Sequence, residues 1–422
     1  MTSPTELKLR VHRELLERLD MVALASLDTA QAEDQVRHAL RRLVQSDALE
    51  LSAAEREKLI EEVGYEVVGL GPLDPLLKDG DISDILVNGA SAVYVEKHGR
   101  LTLTNVKFRD DKHLLQVIER IVAAVGRRVD ARSPMVDARL PDGSRVNAII
   151  PPLALRGPCL SIRRFGQSAL RIEDLLGLHS LTSQMVGYLS AVSRGRLNLV
   201  ISGGAGAGKT TLLNCISSFI SEHERIVTIE DSAELQLQQP HVVPLETRPA
   251  DVDGHGEVTQ RDLVRNAPRM RPDRIIVGEV RGAEAFDMLQ AMNTGHDGSL
   301  TTVHANSPRE CLQRLEVMVL MAGYDLPLRA VRQQIASAVN VLIQVARLND
   351  GSRKVVKMSE VVGMEGEQLQ LQDIFEFVQT GETPEGAVQG YFRATGLRSR
   401  FFDRLVAAGV QPRDVVFEPG VL

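Results

Sequence analysis

The run GGAGAGKT, at Gly203–Thr210, constrains the fold of this chain more than any other segment. It follows an apolar segment, LNLVIS, and precedes a segment with helical apolar spacing, LLNCISSFI. Glycine has no Cβ, so several backbone N–H groups of such a run can approach the same phosphate oxygens. The spacing GxxxxGK[ST] between a strand and a helix is that of a phosphate-binding loop. The run therefore predicts an α/β domain that binds ATP or GTP.

Each part of this loop has an expected role in nucleotide binding. The backbone N–H groups of residues 204–210 would surround the phosphates at the start of the helix. Lys209 would reach the β- and γ-phosphates, and Thr210 would hold Mg²⁺. The predicted nucleotide-binding residues of the loop are Gly204, Ala205, Gly206, Ala207, Gly208, Lys209, Thr210 and Thr211.

Acidic residues end two further apolar segments, DRIIVGEV and RIVTIEDSAEL. Glu279 closes the first, which resembles a Walker B strand with Glu in place of the usual Asp. The second segment ends in Glu230, Asp231 and Glu234, which repel one another unless a cation or a basic partner lies among them. We therefore expect a metal nearby, with Asp231 and Glu279 joining Thr210 as Mg²⁺ ligands. A solvated acidic turn is the alternative for the second segment.

Two histidines, His296 and His304, stand at the two ends of the predicted strand in TGHDGSLTTVHANSP. Without a third ligand they do not form a recognisable metal site. A hydrogen bond to the γ-phosphate is the expected role.

Arginines cluster in two places, before the Walker B segment and between residues 139 and 164. Solvated faces and ion pairs account for about half of them. Some of the others are expected to neutralise transition-state charge from a neighbouring domain or subunit, as an arginine finger does.

Changes in sequence pattern divide the chain into four predicted parts. Residues 1–68 carry three helical patterns, with capping boxes that begin at Ser3 and Ser52. Residues 69–165 combine short strands with one amphipathic helix, and residues 166–172 form a linker. Residues 173–422 alternate strands and helices, which favours a largely parallel sheet, with antiparallel strands appended after about residue 340. Pro268 is expected to bend or end the helix that contains it.

Composition excludes several classes of protein. The formal net charge is −7 and the chain has no Trp, so nucleic acid is not the expected partner. The three cysteines lack the spacing of a zinc site or a disulfide framework, as is usual in a reducing cytoplasm. Neither a signal peptide nor a run of eighteen apolar residues occurs, so we expect any membrane association to be peripheral.

These motifs, taken in order, resemble the type II/IV secretion superfamily of traffic ATPases, and most closely the CpaF-type ATPases of Tad (Flp) pilus assembly. The resemblance covers about residues 60–390 and includes SPMVDARLPDGSRVNAIIPPLAL and LVRNAPRMRPDRIIVGEVRGAEAFDMLQAMNTGHDGSLTTVHANSP. It implies an α/β fold in which a small helical module and a PAS-like α+β domain precede a RecA-like P-loop NTPase domain. It also implies hexameric rings with ATP bound between the two larger domains.

The resemblance assigns roles residue by residue. Residues 230–234 match the Asp box, Glu279 the Walker B acid and residues 296–304 the His box. Glu234 is implied to position the attacking water, with Glu230 in reserve. The implied catalytic residues are Glu234, Glu279, Glu230, His304, Arg145 and Arg163, and Arg139 and His296 join the nucleotide-binding set. Ala205 and Pro268 depart from the family pattern, in which Thr and Leu are usual.

The implied function is a Mg²⁺-dependent ATPase motor that drives Tad/Flp (type IVc) pilus assembly, with retraction left open. Its implied place is the cytoplasm, at the inner-membrane face of a bacterial cell-envelope machine. The implied partners are five further copies of the chain in a homo-hexamer and the pilus platform proteins of the inner membrane. Regulatory or polarity proteins could bind through the N-terminal helices.

Three alternatives remain open. A traffic ATPase of a type IV secretion channel would share every motif and differ chiefly in its partners. A RecA-like nucleic-acid motor is disfavoured by the net acidity and by the aromatic content of 4%. A ring component that binds nucleotide without hydrolysis is disfavoured because the full set of acidic residues is present.

Overall fold

The computed structural model describes residues 4–20, 23–24, 27–46, 51–97, 99–164, 170–250, 255–411 and 417–422. The chain forms two compact units, Met1–Gln167 and Ser168–Leu422. The finer division into four parts stays a prediction. Ser3, which was expected to cap the first helix, lies outside the described residues.

Three helices begin the first unit, as the apolar spacing predicted. They are α1 (Pro4–Arg18), α2 (Thr29–Ser46) and α3 (Ala53–Val68). Val11, Leu40 and Val63, one from each helix, lie in a common buried cluster. The capping box at α3 is confirmed, because the N–H of Glu55 donates to the Ser52 hydroxyl and the N–H of Ser52 donates to the Glu55 carboxylate.

The rest of the first unit is an antiparallel sheet with helices. After α4 (Asp74–Lys78) come β1 (Ile82–Asn88), β2 (Val93–Lys97), β3 (Arg100–Leu103), α5 (Asp111–Ala123), β4 (Met135–Arg139), β5 (Arg145–Ile149) and β6 (Cys159–Arg163). The strand order is β3-β2-β1-β6-β5-β4. The apolar face of α5, with Leu114 and Ile118, is buried in one cluster with Ile85 of β1 and Leu160 of β6.

The second unit is built on one ten-stranded sheet. Its strands are β7 (Leu199–Gly203), β8 (Ile226–Glu230), β9 (Val242–Glu246), β10 (Arg274–Val280), β11 (Leu300–His304), β12 (Val341–Arg347), β13 (Arg353–Glu365), β14 (Gln368–Glu382), β15 (Val388–Ala394) and β16 (Gly420–Val421). Their order is β16-β15-β14-β13-β12-β7-β11-β10-β8-β9. The six strands from β12 to β9 pair in parallel, and the others pair antiparallel.

The point at which this sheet changes from parallel to antiparallel pairing differs from the expectation. The segment VNVLIQVARL was assigned to the appended antiparallel strands, but β12 pairs in parallel with β7. The antiparallel part therefore begins with β13. Sequence spacing could not separate the two cases, because a fully buried strand shows a continuous apolar run in either setting.

Helices cover both faces of the parallel strands. They are α6 (Ile172–Gly177), α7 (Ser183–Arg194), α8 (Lys209–Ser217), α9 (Gln260–Asn266), α10 (Glu284–Asn293), α11 (Pro308–Leu320), α12 (Leu328–Ala338) and α13 (Phe402–Ala407). Along β7, Leu199 and Ile201 belong to one buried cluster and Val200 to another, so the two faces have separate cores. The α/β fold expected from the sequence is confirmed. Carboxyl ends of parallel strands share one edge of a sheet, which is where ligands bind.

Pro268 shortens α9, as expected. The α-helix ends at Asn266, and residues Ala267–Met270 form a 3₁₀ turn. Arg271 then takes a left-handed conformation with a φ of 56°. The chain thus turns into β10 within a few residues.

Among the residues that the structure describes, no helix combines the length and apolar character needed to cross a membrane.

A buried arginine fixes the amino-terminal edge of the parallel strands. Arg274, at the start of β10, is 1% exposed and binds both carboxylate oxygens of Glu224, at 2.8 and 2.9 Å. It also donates to the carbonyls of Ser193, at 2.8 Å, and Gly298, at 3.1 Å. One side chain therefore joins the end of α7, the start of β10 and the loop before β11.

We expect Arg274→Leu to lower the free energy of unfolding by about 3 kcal/mol, because Glu224 and two carbonyls would lose their buried donor. Arg393→Leu is the matched control, because Arg393 is an exposed arginine paired with Glu376, and such pairs contribute about 1 kcal/mol or less. Urea unfolding followed by circular dichroism measures both. Equal losses in the two variants would contradict a special role for Arg274.

Candidate active site

The phosphate-binding loop lies between the end of β7 at Gly203 and the start of α8 at Lys209. Gly206 and Gly208 have φ angles of 66° and 96°, which residues with a Cβ rarely adopt. Such left-handed positions turn successive N–H groups toward one point and create an anion-binding concavity. The loop geometry therefore fits a bound phosphate.

Lys209 joins this loop to the Walker B acid. Its Nζ donates to the carbonyls of Gly203 and Gly204, at 3.2 and 3.1 Å, and lies 3.8 Å from Oε1 of Glu279. Burial lowers the pKa of the Lys209 ammonium, and the charge of Glu279 acts in the opposite direction. The structure thus brings together two of the predicted site residues from opposite sides of the site.

Arg281 is the basic partner that the acidic segment was expected to need. Its Nη2 lies 2.6 Å from Oε2 of Glu279, and its Nη1 lies 3.5 Å from Oδ2 of Asp231. It therefore neutralises two carboxylates that approach the site from β10 and from the end of β8.

Glu230 and Glu234 have different surroundings. Glu230 is 4% exposed, and its Oε1 accepts the backbone N–H groups of Glu234, at 2.9 Å, and Leu235, at 3.0 Å. Glu234 is only partly buried, and its charge acts on both Lys209 and Arg281. Glu230 thus holds the turn on which Glu234 is presented to the site.

The two histidines lie at opposite edges of the sheet. His304 ends β11 and pairs with Gly203, so it lies beside the phosphate-binding loop. His296 lies before β11, and its carbonyl accepts a hydrogen bond from the Ser299 hydroxyl. Two residues further on, the N–H of Gly298 donates to the side chain of Asn198, which lies just before β7. A strand of this length spans about 13 Å. His296 therefore lies at the other end of this strand from the phosphate-binding loop, and its contact with the γ-phosphate stays a prediction.

The three arginines expected to act on nucleotide from the first unit form one row. Arg139 of β4 stands opposite Arg145 of β5, which stands opposite Arg163 of β6. Arg163 also pairs with Asp84, at 3.0 Å. Cross-strand neighbours share a face of a sheet, so the row concentrates positive charge at one place. The roles of these arginines toward nucleotide stay predictions.

The predicted metal ligands supply a hydroxyl and carboxylates. Thr210 is in the first turn of α8, Glu279 is at the end of β10 and Asp231 follows β8. Such oxygen ligands, together with nucleotide phosphates, suit Mg²⁺. Within the described residues, no group of three His, Cys, Asp or Glu side chains forms a metal site by itself.

Some residues at the site were not identified from the sequence. Gln260 donates to the carbonyl of Glu279, at 2.9 Å, and Thr302 donates to that of Gly278, at 2.8 Å. Arg281 belongs to the arginine cluster near the Walker B segment, but its contacts with Glu279 and Asp231 were not predicted individually. Arg353 donates to the carbonyl of Gly206, at 2.9 Å, from 147 residues away, and no local pattern indicates that contact.

The family model described as Type II/IV secretion system protein matches residues 66–397. A putative conjugal transfer protein of Mycobacterium tuberculosis is 40% identical over 307 residues, which cover 71% of this chain and 87% of that protein. The type IV secretion system protein VirB11 of Bartonella henselae is 29% identical over an alignment that covers 71% of this chain and 93% of that protein.

Among solved structures, the ATPase DotB of Yersinia pseudotuberculosis has a similar fold. The TM-score is 0.50 with 18% identity, and the match covers 68% of this chain and 78% of that chain. The family model covers most of the chain, including both the antiparallel sheet of the first unit and the phosphate-binding loop. The chain therefore belongs to the type II/IV secretion system protein family.

Proposed function

We propose that this chain is a Mg²⁺-dependent ATPase that works as a motor in a membrane-associated assembly or secretion machine. The observation that carries the proposal is the 3.8 Å approach of Lys209 to Glu279 at the edge of the sheet. This distance joins the phosphate-binding loop to Glu279, and Arg281 in turn contacts both Glu279 and Asp231 of the acidic segment after β8. Relatives whose names describe secretion and ATPase proteins support the same function.

The loop and Lys209 bind the phosphates in this proposal. The N–H groups of residues 204–210 would surround the phosphates, and Lys209 would leave its carbonyl partners to contact the β- and γ-phosphates. Thr210, Glu279 and Asp231 would hold Mg²⁺, which neutralises charge on the phosphate oxygens. Arg281 now contacts one oxygen of each of these two carboxylates, so metal binding there would compete with its contacts.

Hydrolysis needs a water molecule held in line with the γ-phosphate. Glu234 is the proposed residue for this role, because it is accessible and lies within electrostatic range of Lys209. The water oxygen forms a bond to phosphorus as the bond between phosphorus and the bridging oxygen breaks, and ADP leaves. Glu230 maintains the turn that carries Glu234, and His304 lies where it can donate to the γ-phosphate.

A hexameric ring is the proposed assembly. The row of Arg139, Arg145 and Arg163 would supply positive charge to nucleotide at a boundary between subunits. Binding and release of nucleotide at such a boundary would change the relative positions of rigid domains. That movement is the proposed mechanical output.

The machine that we propose is the Tad/Flp pilus at the cytoplasmic face of the bacterial inner membrane. The chain would drive assembly there, and the direction of its action could include retraction. The support is the resemblance of its motif segments to CpaF-type ATPases. The partners would be the platform proteins, with the helices α1–α3 available to regulatory or polarity proteins.

A type IV secretion or conjugation machine is the second candidate. Relatives named for conjugal transfer and for type IV secretion favour it, because they match most of this chain. Both candidates require the same chemistry and differ in the partner that the motor moves.

Glu279→Gln and Glu234→Gln should each reduce ATP turnover at least about 100-fold, because the first removes a metal ligand and the second the group that orients water. Glu365→Gln, at the exposed end of β13, is the matched control. Phosphate release by the purified chain, measured over a range of protein concentrations with Mg²⁺, gives the rates. Wild-type rates in both active-site variants would overturn the proposed chemistry.

Lys209→Ala, placed in the chromosome of the organism that encodes the chain, should eliminate surface pili, because Lys209 is the proposed ligand of the β- and γ-phosphates. Electron microscopy counts the filaments. Intact pili together with a loss of DNA or protein transfer to other cells would reject the pilus assignment and favour the second candidate.

A further inference from the structure

We propose that Arg347 and Arg353, on the hairpin of β12 and β13, bind the α-phosphate end of the nucleotide within the same chain. This inference rests on the ATPase function proposed above. It adds a second nucleotide-binding element on the opposite side of the phosphate-binding loop from the acidic residues.

The hairpin reaches the loop because β12 is longer than its parallel partner. Val345 of β12 pairs with Gly203, where β7 ends, and β12 continues for two more residues to Arg347. At about 3.3 Å per residue, Arg347 extends alongside the loop. The turn is closed by a hydrogen bond from Leu348 to the carbonyl of Ser352, at 2.8 Å, and Arg353 then stands opposite Arg347.

Both side chains border the glycines of the loop. Nε of Arg353 donates to the carbonyl of Gly206, and a Cβ built on Gly208 would lie 3.4 Å from Cδ of Arg353. A Cβ built on Gly206 would lie 3.9 Å from Nη1 of Arg347. In the described part of the chain, the other N–H groups of Arg353 make no hydrogen bond, so they can serve a ligand.

The charge of this hairpin suits an anion. Two like charges directly opposite each other oppose strand pairing, whereas a phosphate close to both favours it. The one carboxylate of the turn, Asp350, accepts the N–H groups of Ser352 and Val388, at 2.9 Å each, and so stabilises the turn. With Lys209, three cationic side chains surround the loop.

The order of the strands decides which end of the nucleotide lies here. Strands β11, β10 and β8, with His304, Glu279 and the acidic segment, lie on one side of β7, and the hairpin lies on the other. The γ-phosphate and the metal belong with the acidic residues. The hairpin therefore faces the α-phosphate end, which ATP and ADP have in common.

Isothermal titration of the purified full-length chain with ATP and with ADP, in EDTA and then in Mg²⁺, tests this assignment. Arg347→Gln and Arg353→Gln should each raise the Kd about tenfold, because each removes a charged donor to phosphate. The increase should be the same for ATP and ADP. Arg353→Lys should recover part of the affinity, and Arg393→Gln, on β15, should leave the Kd unchanged.

Three results would overturn the inference. A change in Kd of less than twofold in both variants would show that neither arginine contacts the nucleotide. A loss of affinity for ATP alone would place the contact at the γ-phosphate. The third result is a loss of affinity in Arg353→Gln alone that Arg353→Lys does not recover, together with a lower melting temperature in the absence of nucleotide. It would show that Arg353 stabilises the loop and does not bind phosphate. If the wild-type chain bound neither ATP nor ADP, the proposed ATPase function itself would fail.

Discussion

Parallel pairing of β7 with β11 and β12 is the constraint on which the candidate site depends. It sets Gly203, His304 and Val345 side by side at one edge of the sheet. Gly203 cannot carry a side chain there, because a Cβ would lie 2.6 Å from the carbonyl of Val345. The phosphate-binding loop therefore starts at a closely packed glycine. The strand pairing at Gly203 fixes the positions of the neighbouring strands that carry other residues proposed to contact phosphate.

The acidic half of the site depends on long-range contacts of a different kind. Glu230 is buried and binds the backbone of its own turn, whereas Glu279 and Asp231 are joined through Arg281. Glu230 has become structural, whereas Glu279 and Asp231 are held by the Arg281 guanidinium, which Mg²⁺ would replace in the proposed site. Glu230 and Asp231 are adjacent in the chain, yet they have separate surroundings because the first is buried and the second is exposed.

Local patterns predicted much of this from the sequence. The glycine spacing identified the loop and Lys209, an apolar strand ending in an acid identified Glu279, and Pro268 marked the end of α9. The fold class followed from the alternation of strands and helices. The sequence groups His296 with His304, but the two ends of a strand lie at opposite edges of a sheet, so closeness in sequence does not mean closeness to the loop. Arg353 could not be predicted, since its contact depends on how far β12 extends past β7.

The hydrogen bonds of Arg274 have a consequence for how this unit can move. They join β10 to α7 and to the loop before β11, at the edge opposite the phosphate-binding loop. Separating those elements would expose a buried ion pair, so the amino-terminal edge resists deformation. In the proposed function, nucleotide would therefore act through the loops and side chains of the carboxyl edge. The two edges of the sheet therefore differ in how readily they can move, because Arg274 ties only the amino-terminal edge.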